Sequence, residues 1–502
     1  MSLSGTWNVK CLKVSYKPPA ASFNIIPSRL AIRSSQHQHP QCPNSLFPPP
    51  NQSVAAIILG DGWPSGLYPL TKRRSEGAIP IGGNYRLIDS VVSNCINSNI
   101  SKIYALTQFN STSLNSHLSR AYNSSGVFLG KDGGFVEVLA ACQSPQHNGW
   151  FQGSADAIRK CLWVLEEYPV VEFLILQGHH LYKMNYQKLI EAHRNNTADI
   201  TVAVLNNTSK RDYDDDHHHH KNPASSAGFG TFRLNPNNHQ VIDFISEPKF
   251  NNNNNNNSFL QSMGIYMINR DVMKKLLTEY FPTANDLRGE VIPGAISLGM
   301  KIQAFEFDGY WEDMRSIEAY YRANMESTKK PDKDTTTHNN NRSSSSSSFF
   351  YLYDRDSPIY TLPRNLPPTL ITDAVITDSV IGDGCILHRC KIKGTVVGMR
   401  TRVGEGAIIE DSIIMGSDTY SPPPPPAPPT RDDVEAGIPI GIGEGSYIRK
   451  AIVDKNVRIG KNVKIINKDK VVEGNKEEDG YIITEGIVVV VKGAVISDGS
   501  IL

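Results

Sequence analysis

Residues 57–80 read IILGDGWPSGLYPLTKRRSEGAIP. An apolar run ends in Gly60 and Gly62, and Lys72, Arg73 and Arg74 follow. A strand that opens into a glycine turn can aim backbone N–H groups at an oxyanion, and nearby cations complete a phosphate cradle. The same stretch carries features that oppose this chemistry. Asp61 and Glu76 bring negative charge, and Pro64 has no N–H to donate. The stretch is either a phosphate site or the remnant of one. A second candidate is the tract DYDDDHHHH at 212–220. It reads as a metal-binding tract or, the expected outcome, as a solvated loop, because such tracts are compositional.

The whole chain bounds these options. Its 502 residues allow two or three domains. Fifty-one Lys and Arg stand against 50 Asp and Glu, which removes a compositional case for a nucleic-acid or anionic-membrane partner. No uninterrupted apolar stretch is long enough for a transmembrane helix. The cysteines (Cys11, Cys42, Cys95, Cys142, Cys161, Cys385, Cys390) are scattered and odd in number, with no Cys-x-x-Cys pair. That pattern fits a reduced intracellular compartment. No acidic residue precedes Asp61, while serine is frequent and Lys10, Lys13, Lys17, Arg29 and Arg33 are basic. Residues 1–53 therefore read as an organelle transit peptide, the alternative being an ordinary disordered N-terminal tail.

From Val54 to about residue 330, strands and helices alternate. VAAIILG, KIYALT, GFVEVLAA, EFLILQG and DITVAVL read as strands. LIDSVVSNCINSN, SLNSHLSRAY, SADAIRKCLWVLEEY and YQKLIEAHRNN read as helices. This alternation predicts a mostly parallel, Rossmann-like α/β sheet covered on both faces. Ligands in such sheets lie beyond the carboxyl ends of the strands. LGDG, LTQFN, LQGHHLY and FDGYWED should then converge on one crevice. The Asp-His tract, the Asn251–Asn257 run and the Ser343–Ser348 run are expected to be disordered.

After a linker at 331–365 the period changes. In 366–502 an aliphatic residue followed by glycine or a small polar residue recurs at roughly six-residue steps, broken by the proline run Pro422–Pro426. Hexapeptide repetition predicts a parallel β-helix.

Specific motifs narrow the choice. NYRLID, SNCINSNISKIYALTQFNS, WFQGSADAIRKCLW, SMGIYMI, EVIPGAISLGM, DGYWED, SPIYTLPRNLPP, AIVDKN, IGKNVKIINKD and EGIVVVVKGAVI are long and distinctive. They resemble the small subunit of plant ADP-glucose pyrophosphorylase, a glucose-1-phosphate adenylyltransferase, from Val54 to Leu502. The resemblance implies a nucleotidyltransferase domain followed by a left-handed β-helix. It implies reaction of ATP with glucose 1-phosphate to give ADP-glucose and pyrophosphate, with Mg²⁺ as cofactor. It also implies large and small partner subunits, 3-phosphoglycerate and phosphate as effectors, and a plastid location in starch synthesis. Such transfers depend on positioning and charge neutralisation.

Departures from the family pattern fall where charge matters most. Its loop resembles G-G-G-x-G-T-R-L; here Gly60, Gly62 and Leu67 match, but Asp61, Pro64 and Gly66 replace glycine, glycine and arginine. Its K-R-A-K-P-A motif keeps Arg73, Arg74 and Ala78 and has Glu76 for lysine. Its A-G-D-H-L-Y motif has His179 at the magnesium aspartate, while the partner Asp313 persists. Its E-K-P motif reads Ser246-Glu247-Pro, although Gly230 and Ser262, matched to sugar-phosphate contacts, remain. Arg86 and Lys492 match regulatory cations, but acids in DDVEAGIPIGIG stand before the segment where a second activator lysine is expected. Three readings follow. The chain is a non-catalytic assembly or regulatory subunit, a weakly active adenylyltransferase, or a β-helix scaffold or acyltransferase using His388. The first is favoured, because Gly66, Glu76, His179 and Glu247 all remove or reverse charge at phosphate or magnesium positions. Residues 1–53 fused to a fluorescent protein should carry it into plastids; a cytosolic signal in leaf cells would count against the transit reading.

Overall fold

The computed structural model describes residues 48–60, 66–122, 134–141, 149–205, 230–246, 259–329, 350–355, 357–362, 364–420 and 437–502. The Asp-His, asparagine and serine tracts and the proline run lie outside the described residues, as do Asp61, Gly62, Trp63, Pro64, Glu247 and the acids of 431–436. Phe47–Leu502 is one compact unit. It begins before Val54: Pro50–Ser53 forms a helical turn, and Arg194, paired with Glu172, donates to Ser53 Oγ at 2.8 Å and to the Pro48 carbonyl at 3.2 Å.

The strand Val54–Leu59 is the spine of a nine-stranded sheet. It pairs in parallel with Lys102–Thr107 on one side and Glu172–Gln177 on the other, and Phe135–Ala140 extends the parallel set. Its alternate residues enter two cores, Ala55, Ile57 and Leu59 on one face and Val54, Ala56 and Ile58 on the other. Burial on both faces explains why the run is continuously apolar. Seven of the nine strands share one direction, and Val241–Ile245 and Phe259–Asn269 run against it. Phe259–Asn269 inserts antiparallel between Glu172–Gln177 and Ile200–Leu205. A register shift between Ser262 and Tyr266 bends this 11-residue strand, so its first residues pair with Thr231–Leu234 and its last with Glu172–Gln177. Period alone does not report strand direction, so the reversal left no mark in the hydrophobic pattern.

The C-terminal repeats form three ladders of short strands. On one face Ile371, Leu387 and Val403 stack in parallel register, followed by Ile442, Ile459 and Ile496. Val403 pairs directly with Ile442 although 421–436 intervene, so the insertion leaves the ladder unbroken. Asn456 and Asn462 take left-handed backbone angles at corners, which accounts for asparagine at those turns.

An apolar seam joins the lobes. Leu67, Leu70, Ile79, Met314 and Tyr320 pack with Ile413, Met415, Ile452 and Val489. Inside that seam Arg74 forms an ion pair with Asp454. Both are almost completely buried, at 3 % and 2 % exposure. Arg74→Ala leaves a buried carboxylate without its counter-charge. It should cost about 3–5 kcal/mol in urea unfolding, and the volume-matched double replacement Arg74→Met with Asp454→Leu should recover most of that loss.

Candidate functional site

Backbone packing brings the sequence-predicted crevice together. Gly60 N–H donates to the Leu106 carbonyl, and Gly178 N–H donates to the Leu59 carbonyl, both at 2.9 Å. A Cβ on Gly178 would lie 3.3 Å from the Gly60 Cα, so glycine there permits the two strand ends to touch. The strand His180–Tyr182 then pairs antiparallel with Trp311–Asp313, setting His180 opposite Asp313. Leu59–Gly60, LTQFN, LQGHHLY and FDGYWED thus meet at one edge, as the alternation implied; the rest of LGDG lies outside the described residues.

Charged groups occupy that edge in a closed set. Glu76 opens a short 3-10 turn, Glu76–Ala78, and is 2 % exposed. His179 Nδ1 lies 3.2 Å from Glu76 Oε2, and its Nε2 lies 3.7 Å from Asp313 Oδ1. Arg315 binds Asp313 through Nε at 3.1 and 3.0 Å and through its terminal nitrogen at 2.8 Å. Burial holds the His179 imidazole below its ordinary pKa, only partly offset by Glu76 and Asp313, so it is neutral near pH 7. Burial, reinforced by His179, holds His180 further below. Burial works to raise Asp313, but His179 and Arg315 prevail and keep its carboxyl below the usual range.

Magnesium fits these residues poorly. The ion demands oxygen ligands in near-octahedral array and keeps several waters. Here an imidazole faces Asp313, a guanidinium already binds both carboxylate oxygens, and His179 is 1 % exposed.

The other predicted residues divide. Gly66 forms an isolated bridge with Ser316, and a Cβ there would lie 2.2 Å from the Arg315 carbonyl. Gly230 and Ser262 do meet: the Ser262 N–H donates to the Gly230 carbonyl at 3.1 Å. Ser246 is exposed nearby in sequence, at the end of Val241–Ile245. The two arginines expected in the nucleotide remnant lie elsewhere. Arg74 is committed to Asp454, and Arg73 lines an open cleft of about 740 Å³ with Lys72, Glu477 and Lys492. Adjacent basic residues part where the chain turns through a buried seam, and Arg74 is drawn into that seam by Asp454. His388 pairs with Thr372 within a β-helix ladder.

Arg86 is also largely structural. Its backbone N–H donates to Asp89 and its guanidinium donates to the Ser113 carbonyl, both within 3 Å. Burial, then Arg364, pulls its pKa down to about 10. Asp418 connects it with Lys492, since both cations act on that carboxylate. Lys455, missed in the sequence reading, contacts Asp418 at 2.8 Å, and burial lowers its pKa to about 8. Arg364 completes a cation-rich set around one acid. AIVDKN contained Lys455, yet only the fold shows that it turns toward Arg86 and not toward solvent. His180 and Arg315 were likewise missed; the one available signal was their adjacency to His179 and Asp313.

Comparison with known proteins agrees with this architecture. A nucleotidyl transferase family model matches residues 55–330, and a GLGC left-handed parallel beta-helix domain model matches residues 364–501. Over 469 residues the chain is 53 % identical to the inactive glucose-1-phosphate adenylyltransferase small subunit 2, chloroplastic, of Arabidopsis thaliana, with 91 % of each chain covered. Over 479 residues it is 48 % identical to the chloroplastic/amyloplastic glucose-1-phosphate adenylyltransferase small subunit of Triticum aestivum, covering 91 % of this chain and 93 % of that one. The close contact at Gly66 carries its own consequence. Gly66→Ala should destabilise the chain by about 1–3 kcal/mol, read from denaturant midpoints, because a backbone carbonyl and not a flexible side chain must move.

Proposed function

The chain belongs to the family of glucose-1-phosphate adenylyltransferase small subunits, and on that premise we propose that it is a catalytically inactive subunit of the plastid enzyme, retained for assembly and regulation. The family is in general Mg²⁺-dependent, and its reaction brings ATP and the phosphate of glucose 1-phosphate into one site. One observation carries the proposal. Glu76, His179, Asp313 and Arg315 are engaged with one another where incoming phosphates and a magnesium ion need unpaired cationic donors and carboxylate oxygens. With arginine absent at 66, a loss comparable to that of a transition-state arginine, about 10³–10⁵ in rate, applies before Glu76 and Glu247 are counted.

Assembly is the role left most intact. The β-helix ladders are continuous, and Leu370, Ile371 and Val375 stand exposed on the first rung. An exposed apolar rung at the end of a ladder suits contact with another subunit. Large and small pyrophosphorylase subunits are the partners proposed. The cations around Asp418 suit an oxyanion effector such as 3-phosphoglycerate or phosphate, and the buried state of Arg86 and Lys455 implies a weak response.

The purified chain given MgATP and labelled glucose 1-phosphate should form no ADP-glucose, alone or with a large subunit. It should nevertheless co-elute with that subunit on size exclusion. Synthesis near the rate of ordinary small subunits would overturn inactivity, and a persistent monomer would overturn assembly. Restoring activity should require joint replacement: Asp61→Gly, Pro64→Gly, Gly66→Arg, Glu76→Lys, His179→Asp, Ser246→Glu and Glu247→Lys. Arg315→Gly belongs in the same set, since it frees Asp313. Single replacements should restore little, because these groups act as a unit.

A further inference from the structure

The misfit of magnesium has a counterpart in what the same residues do fit. His179 is a polar side chain at 1 % exposure whose two ring nitrogens make no hydrogen bond among the described residues. Its Nε2 and Asp313 Oδ1 are 3.7 Å apart, too far for a hydrogen bond. That separation is close to the about 3.4 Å between two ligands of a tetrahedral ion with bonds near 2.1 Å. Donor atoms of His179, His180 and Asp313 all lie within 4.8 Å of one another. Inward shifts of under about 1 Å would bring all three to the roughly 2.0–2.2 Å of zinc bonds.

We propose that His179, His180 and Asp313 form a site for a transition-metal dication of the zinc class, which excludes magnesium. Two imidazoles and one carboxylate are the donor set that favours zinc or cobalt over magnesium. The surroundings are those such a site uses. Glu76 faces the other nitrogen of His179 at 3.2 Å, where it can take that ring's N–H and fix its orientation. Arg315 orients Asp313 through hydrogen bonds to both carboxylate oxygens, including the Oδ1 that faces His179. Among the described residues two carboxylates, Glu76 and Asp313, lie on either side of His179, and a dication suits that setting. The bound ion would pin His180–Tyr182 to Trp311–Asp313 at the crevice floor, a structural use of a position that no longer suits nucleotide chemistry.

The test uses the full chain with His217, His218, His219 and His220 replaced by Ser, so that the Asp-His tract does not contribute. Titrated with cobalt(II) chloride, this chain should bind one ion and develop visible ligand-field absorption. Zinc chloride should bleach that absorption, and millimolar-range magnesium chloride should not. Glu76→Gln should weaken cobalt by about 10–100-fold, the usual loss when a ligand's hydrogen-bond partner is removed. His179→Ala should abolish the spectrum, and His179→Asp should shift preference toward magnesium. Absence of the absorption, or its persistence unchanged in His179→Ala, would overturn the proposal. The cobalt spectrum of the chain with His179 intact decides the matter even if His179→Ala fails to fold. Because metal binding and not ADP-glucose formation is read, this outcome is separate from that of the catalytic assay.

Discussion

The buried ion pair of Arg74 and Asp454 fixes how the two lobes meet. Both groups have left water, and the seam of Leu67, Leu70, Ile79 and Tyr320 against Ile413, Ile452 and Val489 closes around them. Such a pair gives little net stability over an apolar alternative, but breaking it is costly. It therefore works as a registration device. It sets segment 66–78 at one height against the β-helix, and the position of Glu76 beneath His179 follows from that. Its other end reaches further. Asp454 also accepts from the Lys455 backbone N–H at 2.5 Å, and Lys455 turns to Asp418, so the cation-rich set is built on the same anchor.

At the sheet edge, substitutions that look adverse one by one are mutually compensating. A glutamate beside phosphate would be repulsive in a working site. Beside a neutral buried imidazole and within the field of Arg315 it is accommodated. Arg315 similarly satisfies Asp313, which would otherwise be a buried carboxylate without its metal. Glu76, His179, Asp313 and Arg315 form one contiguous polar cluster in the crevice. At Glu76 and Asp313 the charge is met from inside the protein, by His179 and Arg315.

Much of this molecule was determined by the sequence alone. Continuous apolar runs ending in glycine announce doubly buried strands, and the six-residue repeat announces the β-helix, because each reflects a period the backbone imposes. The departures of Gly66, Glu76 and His179 from the family's charge pattern are also legible there, because charge type can be read without coordinates. Tertiary structure alone decided direction and pairing. Phe259–Asn269 runs antiparallel because strand period is the same in either sense. Arg73 and Arg74, adjacent in the chain, part company because one lines a cleft and the other enters a seam. Arg315 meets Gly66, and Lys455 meets Asp418, across separations in sequence that no local pattern records. The physical reason is common to all of these. Period and composition are local properties, whereas the partner of a buried charge is chosen by whichever distant segment packs against it.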